Sequence, residues 1–299
     1  MSAITAEMVK NLREKSGAGM MECKKALEAN AGDMDASMKW LREKGIASAE
    51  KKAGRAAAEG LAGLKISGTH GVIVEVNCET DFVARTPQFL GLLDAATAVA
   101  SGAQGLPDDA AAAAQTVAAL KASDGRSLEE HVKSTIGALG ENMALARVVH
   151  LGVKQGVLGS YRHSDGKLAS LVALECGQAG SALKPEVLEL AKDLAMQVAG
   201  NLPPAEVVSR DQISPALVAR EREIALVQAA QAGAGKPAAI VEKIAEGKVN
   251  KVLQELTLLE QAFIKDTGVK IGDLVKQVGL KVGDTLTVGG FVRIKVGVK

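Results

Sequence analysis

Few residues in this 299-residue chain have the type and spacing to make or break bonds. Cys78 could serve as a nucleophile only if a distant histidine activated it, and its place on the apolar face of a predicted strand favours a buried, inert thiol. None of the four histidines, His70, His131, His150 and His163, stands at metal-ligand spacing to another His or Cys. HExxH, paired CxxC, GxSxG and a GxGxxG following a strand are all missing from the sequence. Gly233-Ala234-Gly235-Lys236 faintly resembles a phosphate loop, but Pro237 occupies the Ser/Thr position and no strand precedes it, so it reads as a turn. No metal, cofactor or covalent catalysis is expected. Cys23, Cys78 and Cys176 are odd in number and far apart, which argues against a disulfide framework and fits a reducing compartment.

One short segment carries a different signal. Glu79 to Arg85, ETDFVAR, joins a predicted strand to a helix opened by Thr86-Pro87, and it holds one of only six aromatics in the chain. Two readings are open on these residues alone. Asp81 caps a single turn and Phe82 folds back on the core, or Phe82 stands out on an exposed connection as a contact residue. The aromatic share is 2%, so the core must be filled by Ala, Val, Leu and Gly, and an aromatic on a turn calls for a reason.

The elements that position this turn are legible from periodicity. Residues 1 to 55 read as three short helices: Thr5 caps one carrying Met8, Val9 and Leu12 and stopped by Gly17; Met20, Cys23 and Leu27 stripe a second, stopped by Gly32; Asp33 caps a third with Met38 and Leu41, stopped by Gly45. The basic tail Lys51 to Arg55 reads as a solvated linker without interleaved aromatics. From residue 60 the period changes to two. Leu61 to Ile66 and Val72 to Cys78 form a hairpin whose second strand puts Val72, Val74, Val76 and Cys78 on one face, with Ile73, Glu75 and Asn77 on the other.

A second copy of the plan follows about a hundred residues on. VLGSYRH, the turn Ser164-Asp165-Gly166, LASLVALEC and a helix opened by Lys184-Pro185 repeat the order hairpin, turn, helix. Ser127 to Glu130 is a capping-box pattern leading a helix toward Leu139, after an Ala-rich stretch from Leu106 to Lys121. Between about 210 and 250, two helical segments flank Gly233 to Pro237 as an antiparallel hairpin, which either offers an apolar seam to a partner or packs on its own core. The chain closes on a strand, FVRIKVG, with Val292, Ile294 and Val296 on one face. With 36 Lys+Arg against 35 Asp+Glu, no global field draws nucleic acid or an anionic membrane. No stretch approaches the roughly 18 apolar residues of a membrane span, and the charged N-terminus lacks a signal-peptide core, so a cytoplasmic protein is expected.

GAGMMECKKAL at 17–27, VNCETDFVAR at 76–85, GEN at 140–142, VLGSYRH at 157–163 and QAFIKDTGVKIGDLVK at 261–276 together resemble, in order and spacing, the bacterial translation elongation factor Ts family. The resemblance implies an α+β fold: a three-helix ubiquitin-associated-like module at 1–55, core subdomains at 56–140 and 141–299, and a helical hairpin protruding from the second. It implies a guanine-nucleotide exchange factor for elongation factor Tu that makes no covalent bond and contacts neither nucleic acid nor membrane. By the same resemblance Thr80, Asp81, Phe82 and Val83 enter the partner near its Mg²⁺ site. Leu139 and His163 belong to the same contact surface, Met20 and Met21 meet a partner helix, and the hairpin is a candidate for self-association. Two departures stand out: Ala262 replaces a common Pro, and the chain ends soon after FVRIKVG without the extra helical module of some members. The competing class, a ubiquitin-associated-like binding scaffold unrelated to translation, accounts for the first 55 residues and leaves the remainder unexplained.

Overall fold

The computed structural model describes residues 4–232 and 237–298. The chain mixes helix with antiparallel hairpins, an α+β fold that opens on a helical module. It divides into two compact units, Met1–His150 with Arg162–Ala169 and Ile294–Lys299, and Leu151–Tyr161 with Ser170–Arg293.

The first unit begins with α1 (Ala6–Ser16), α2 (Met20–Ala29) and α3 (Met34–Lys52). Thr5 caps α1 by accepting from the Met8 amide, Gly17 ends it at φ 69°, and Asp33 caps α3 by accepting from the Ala36 amide. Val9, Leu12, Cys23, Ala26 and Leu27 are buried in a small core of their own. Two expectations fail here. Met20 is exposed, because the buried stripe of α2 begins one turn later at Cys23. Nor does Gly45 end α3, which continues to Lys52.

Gly45 is a contact glycine. Further along the chain come α4 (Asp81–Ala84), α5 (Pro87–Gly102), α6 (Ala110–Ala119) and α7 (Leu128–Leu139). Helices α3 and α7 cross so closely that a Cβ added at Gly137 would lie 2.7 Å from the Gly45 Cα, whereas one added at Gly45 finds only an ordinary 3.5 Å contact. Gly137→Ala should therefore cost about 1–3 kcal/mol by overpacking. Gly45→Ala should be neutral or stabilise by up to about 1 kcal/mol through helix propensity. Urea midpoints of the two variants check the contrast.

Strands β1 (Glu59–Ser67) and β2 (His70–Cys78) pair antiparallel with Glu59 opposite Cys78 and Ser67 opposite His70, and β3 (Met143–Gly152) completes the sheet in the order β1-β2-β3. Only glycine suits position 60: its φ is 141° and a Cβ there would sit 2.1 Å from the Val76 carbonyl oxygen. Helix α5 covers the sheet with Phe89, Leu92, Leu93 and Ala96. The alternation read in β2 as half-buried is corrected, since Gly71 to Val76 are all buried. Glu75 lies in that interior at 1% exposure, where its carboxylate accepts from Arg147 and from the Gly297 amide at 3.0 Å. Arg147 also donates to the Lys295 carbonyl at 2.8 Å.

The second unit repeats the construction with β4 (Gly156–Arg162), β5 (Leu168–Cys176), α8 (Pro185–Gly200) and β8 (Leu286–Lys295), in the sheet order β4-β5-β8. Gly156, at φ 153°, lies so that a Cβ would be 2.1 Å from the Leu174 carbonyl, as Gly60 does against Val76. From Cys78 to Pro87 and from Cys176 to Pro185 the spacing is the same. Helices α9 (Pro215–Ala232) and α10 (Ala238–Leu256) bury Ala225, Ala229 and Ala245 against each other, while Ile224, Val227 and Ile240 of the same helices stay exposed. The turn read at Gly233 to Lys236 lies outside the described residues. A short hairpin, β6 (Ala262–Phe263) with β7 (Asp266–Lys270), leads into α11 (Ile271–Val282), none of which is evident from periodicity. Strand β8 also starts earlier than the reading from FVRIKVG, at Leu286.

Candidate functional site

The ETDF segment is built as a braced projection. Thr80, in extended conformation, caps the single turn α4, its hydroxyl accepting from the Val83 amide at 3.3 Å. The cap is thus Thr80 and not Asp81, since Asp81 is already the first helical residue. The amides of Arg85 and Thr86 close on the carbonyls of Phe82 and Val83 at 3.2 and 3.0 Å. Thr86 donates its hydroxyl to the Val83 carbonyl at 2.8 Å while capping α5 through the Phe89 amide. One turn is thereby welded to the next helix. Ala84 is buried and Val83 packs on the same core as Leu139, which leaves the opposite side of α4 to Phe82. Phe82 is 81% exposed, whereas Phe89 and Phe263 are buried and Trp40, Tyr161 and Phe291 partly so. The folded-back reading of Phe82 is excluded.

Support comes from a segment far away in sequence. Gly140, at φ 81°, ends α7 and turns the chain so that Glu141 and Asn142 meet residues 79 and 80. The Glu141 carboxylate accepts from the Thr80 hydroxyl at 2.7 Å and from its amide at 3.0 Å. In return the Glu79 carboxylate accepts from the Asn142 amide at 2.6 Å, and the Asn142 side chain donates to the Arg55 carbonyl at 2.7 Å. Charged acceptors make these bonds stronger than neutral ones. Sequence reading missed Glu141 and Asn142 as bracing residues. A glycine stop followed by two polar residues was their signal, but their partners are about sixty positions away.

The other expected contact residues fall as follows. His163 is exposed at the β4–β5 turn, where its amide donates to the Leu168 carbonyl at 2.8 Å, and Gly166 of that turn accepts from the Ala62 amide of β1, also at 2.8 Å. Lys167 pairs with Glu59, which raises the ammonium pKa, and the charge of Asp81 adds to that effect. The turn carrying His163 is thus tied to β1, the strand next to the one that feeds α4. Asp81 itself lies 3.8 Å from Arg85 in an exposed pair. Met20 and Met21, 57% and 64% exposed, open α2 beside the separate helical core.

No nucleophile is assembled here. The Cys78 thiol is buried and donates to the Thr80 carbonyl at 3.1 Å, and burial pushes its pKa up to about 11. Because the fold favours the protonated thiol, this contribution to stability is complete below its ordinary value of 9.0 and is lost as pH rises through about 11. Titration of the native chain at pH 8 with a thiol-reactive disulfide should accordingly show no rapid reaction at Cys78, and unfolding should expose all three free cysteines. Rapid labelling of Cys78 in the folded protein would revive the thiol-enzyme reading. Among the described residues no group of three His, Cys, Asp or Glu is placed to hold a metal ion, and no helix is long and apolar enough to cross a membrane.

Comparison with known proteins gives one consistent answer. The family model described as Elongation factor TS matches residues 79–298, beginning at the first residue of the braced turn. Elongation factor Ts of Nitratidesulfovibrio vulgaris (strain DP4) is 45% identical over 298 residues, covering 99% of this chain and 96% of the relative. Elongation factor Ts of Desulfovibrio desulfuricans is 46% identical over 301 residues, covering 99% of both chains. That of Rhodospirillum rubrum is 43% identical over 303 residues, covering 99% and 94%. The chain therefore belongs to the elongation factor Ts family of translation elongation factors.

Proposed function

We propose that this protein is a guanine-nucleotide exchange factor for elongation factor Tu, acting by docking alone, with α4 as the element that disturbs the partner's Mg²⁺ and phosphate site. The observation that carries the reading is a large apolar side chain, 81% exposed, on a turn whose backbone is pinned from both ends. A GTPase holds GDP through near-octahedral Mg²⁺ and a cradle of backbone amides, so a small displacement of either weakens the nucleotide strongly. By linkage, a factor that binds best to the disturbed site loosens GDP by the same factor by which GDP loosens it. Phe82 supplies apolar volume, Asp81 a carboxylate beside it, Thr80 and Val83 the frame, and Leu139 and His163 neighbouring contacts. Within this reading residues 1–55 form the partner-binding module, 56–140 the subdomain carrying the wedge and 141–299 the second subdomain with its hairpin.

The direct test is release of a fluorescent GDP analogue from purified elongation factor Tu in a stopped-flow instrument, with and without this protein. Unchanged release at saturating concentration refutes the proposal. A pull-down with ubiquitin against elongation factor Tu separates it from the scaffold reading. Met20 and Met21 are assigned to affinity, since their adaptable thioether chains suit a helix contact distant from the chemistry. Met21→Ala should weaken binding by about 1 kcal/mol, near fivefold, with the maximal exchange rate preserved. Titration of the exchange rate against factor concentration resolves the two parameters, and an unaltered half-saturation point contradicts the assignment.

A further inference from the structure

A cleft of about 660 Å³ lies between the N-terminal helices and the segment that ends in α7, away from Phe82. Its walls carry four cations, Lys15, Arg42, Lys44 and Arg126, against two carboxylates, Glu22 and Asp124. Both carboxylates are already engaged. Glu22 takes Lys44 and Lys25, and Asp124 takes Arg126 at 2.7 Å and His131 at 3.0 Å. Lys15 and Arg42 have no carboxylate within salt-bridge distance among the described residues. Glu130 feels the charge of Arg42, but its carboxylate is held by the Ser127 amide and hydroxyl. The rest of the lining mixes apolar Ala18, Met38, Leu41 and Ala138 with the hydroxyl residues Ser16 and Ser134.

Such a volume matches that of small-molecule sites, which combine an apolar floor with a few convergent polar groups. Uncompensated cations facing a shared concave surface raise the local concentration of anions. Arginine suits phosphate because its planar fork donates two parallel hydrogen bonds, and lysine adds a point charge. We infer that this cleft binds a small organic phosphate, its phosphate groups held by Lys15 and Arg42 and its uncharged part resting on Met38 and Leu41. The inference is independent of the exchange reading, because it needs no partner protein.

The chain carries its own reporter. Trp40 is the only tryptophan, and the Lys44 ammonium stands 4.5 Å from its ring centroid at the edge of this cleft. ATP serves as the probe, added to the full-length protein at constant ionic strength, with Trp40 emission and equilibrium dialysis of labelled ATP read in parallel. Saturable binding is expected, weakened at least about tenfold in Lys15→Ala/Arg42→Ala by loss of two charge-assisted contacts. Lys10→Ala/Lys39→Ala, which removes two exposed charges that do not line the cleft, should bind as the wild type does. No saturable dialysis signal, a response reproduced by sodium chloride alone, or equal loss in both double variants overturns the inference. A single-stranded oligonucleotide that displaces ATP far more effectively per phosphate than tripolyphosphate also overturns it, in favour of a nucleic-acid surface. Since elongation factor Tu is absent from the experiment, failure here leaves the outcome of the exchange assay untouched, and the reverse holds as well.

Discussion

Phe82→Ala should leave the protein folded and slow its stimulation of GDP release by about tenfold or more, the scale of a central contact worth roughly 2 kcal/mol. The two halves of this expectation have separate grounds. Stability should change by less than about 0.5 kcal/mol, because the ring is 81% exposed and contributes almost nothing to the core. Exchange should fail because the turn that presents residue 82 is held by Glu141, Thr80 and Thr86 whether or not a ring is attached. A rigid presenter loses little ordering entropy on docking, so the defect reports on the ring itself. Urea unfolding and stopped-flow release, measured on the same preparation, give the answer. A well-folded variant that exchanges at the wild-type rate removes Phe82 from the mechanism.

The largest loss of stability is expected at Arg147. Its guanidinium is the charge partner of Glu75, whose side chain is 2% exposed. Arg147→Ala strands a carboxylate in the interior with only the Gly297 amide still donating to it, and the expected cost is about 3 kcal/mol. Replacing both charges, as Glu75→Met/Arg147→Met, should recover most of that loss, since the penalty belongs to the orphaned charge rather than to the missing pair. Urea midpoints of the single and double variants test this. Equal destabilisation in both would show that the pair contributes packing or chain closure instead of charge compensation.

Most of the frame was legible because its signals are local. Thr5, Thr86 and Ser127 cap helices through amides three residues ahead, and Gly17 and Gly140 stop them by a backbone angle that few other residues adopt. What could not be read depends on partners distant in sequence. Gly45 has the look of a helix stop until Gly137 is placed against it. Glu75 alternates like a solvent-facing residue, and only Arg147 and the Gly297 amide explain its burial. Composition marked Phe82 as unusual, but the bonds that hold residues 79 and 80 before it come from Glu141 and Asn142, residues on the far side of three helices in sequence. Asp81 and Thr80 are both good capping residues, and the choice between them rests on a backbone detail of one position.

Counted from the cysteine that ends each second strand, Phe82 corresponds to Gly180 and Val83 to Ser181. Ser181 is buried and Val83 partly so, while Gly180 faces open space, with nothing within 4 Å of where a Cβ would be. Both copies of the strand-turn-helix frame therefore hold one outward position between fixed ends. One copy fills it with a ring and the other leaves it blank. The frame and the side chain mounted on it are separable: the same strand-turn-helix order occurs twice, and a ring stands at the outward position of only one copy.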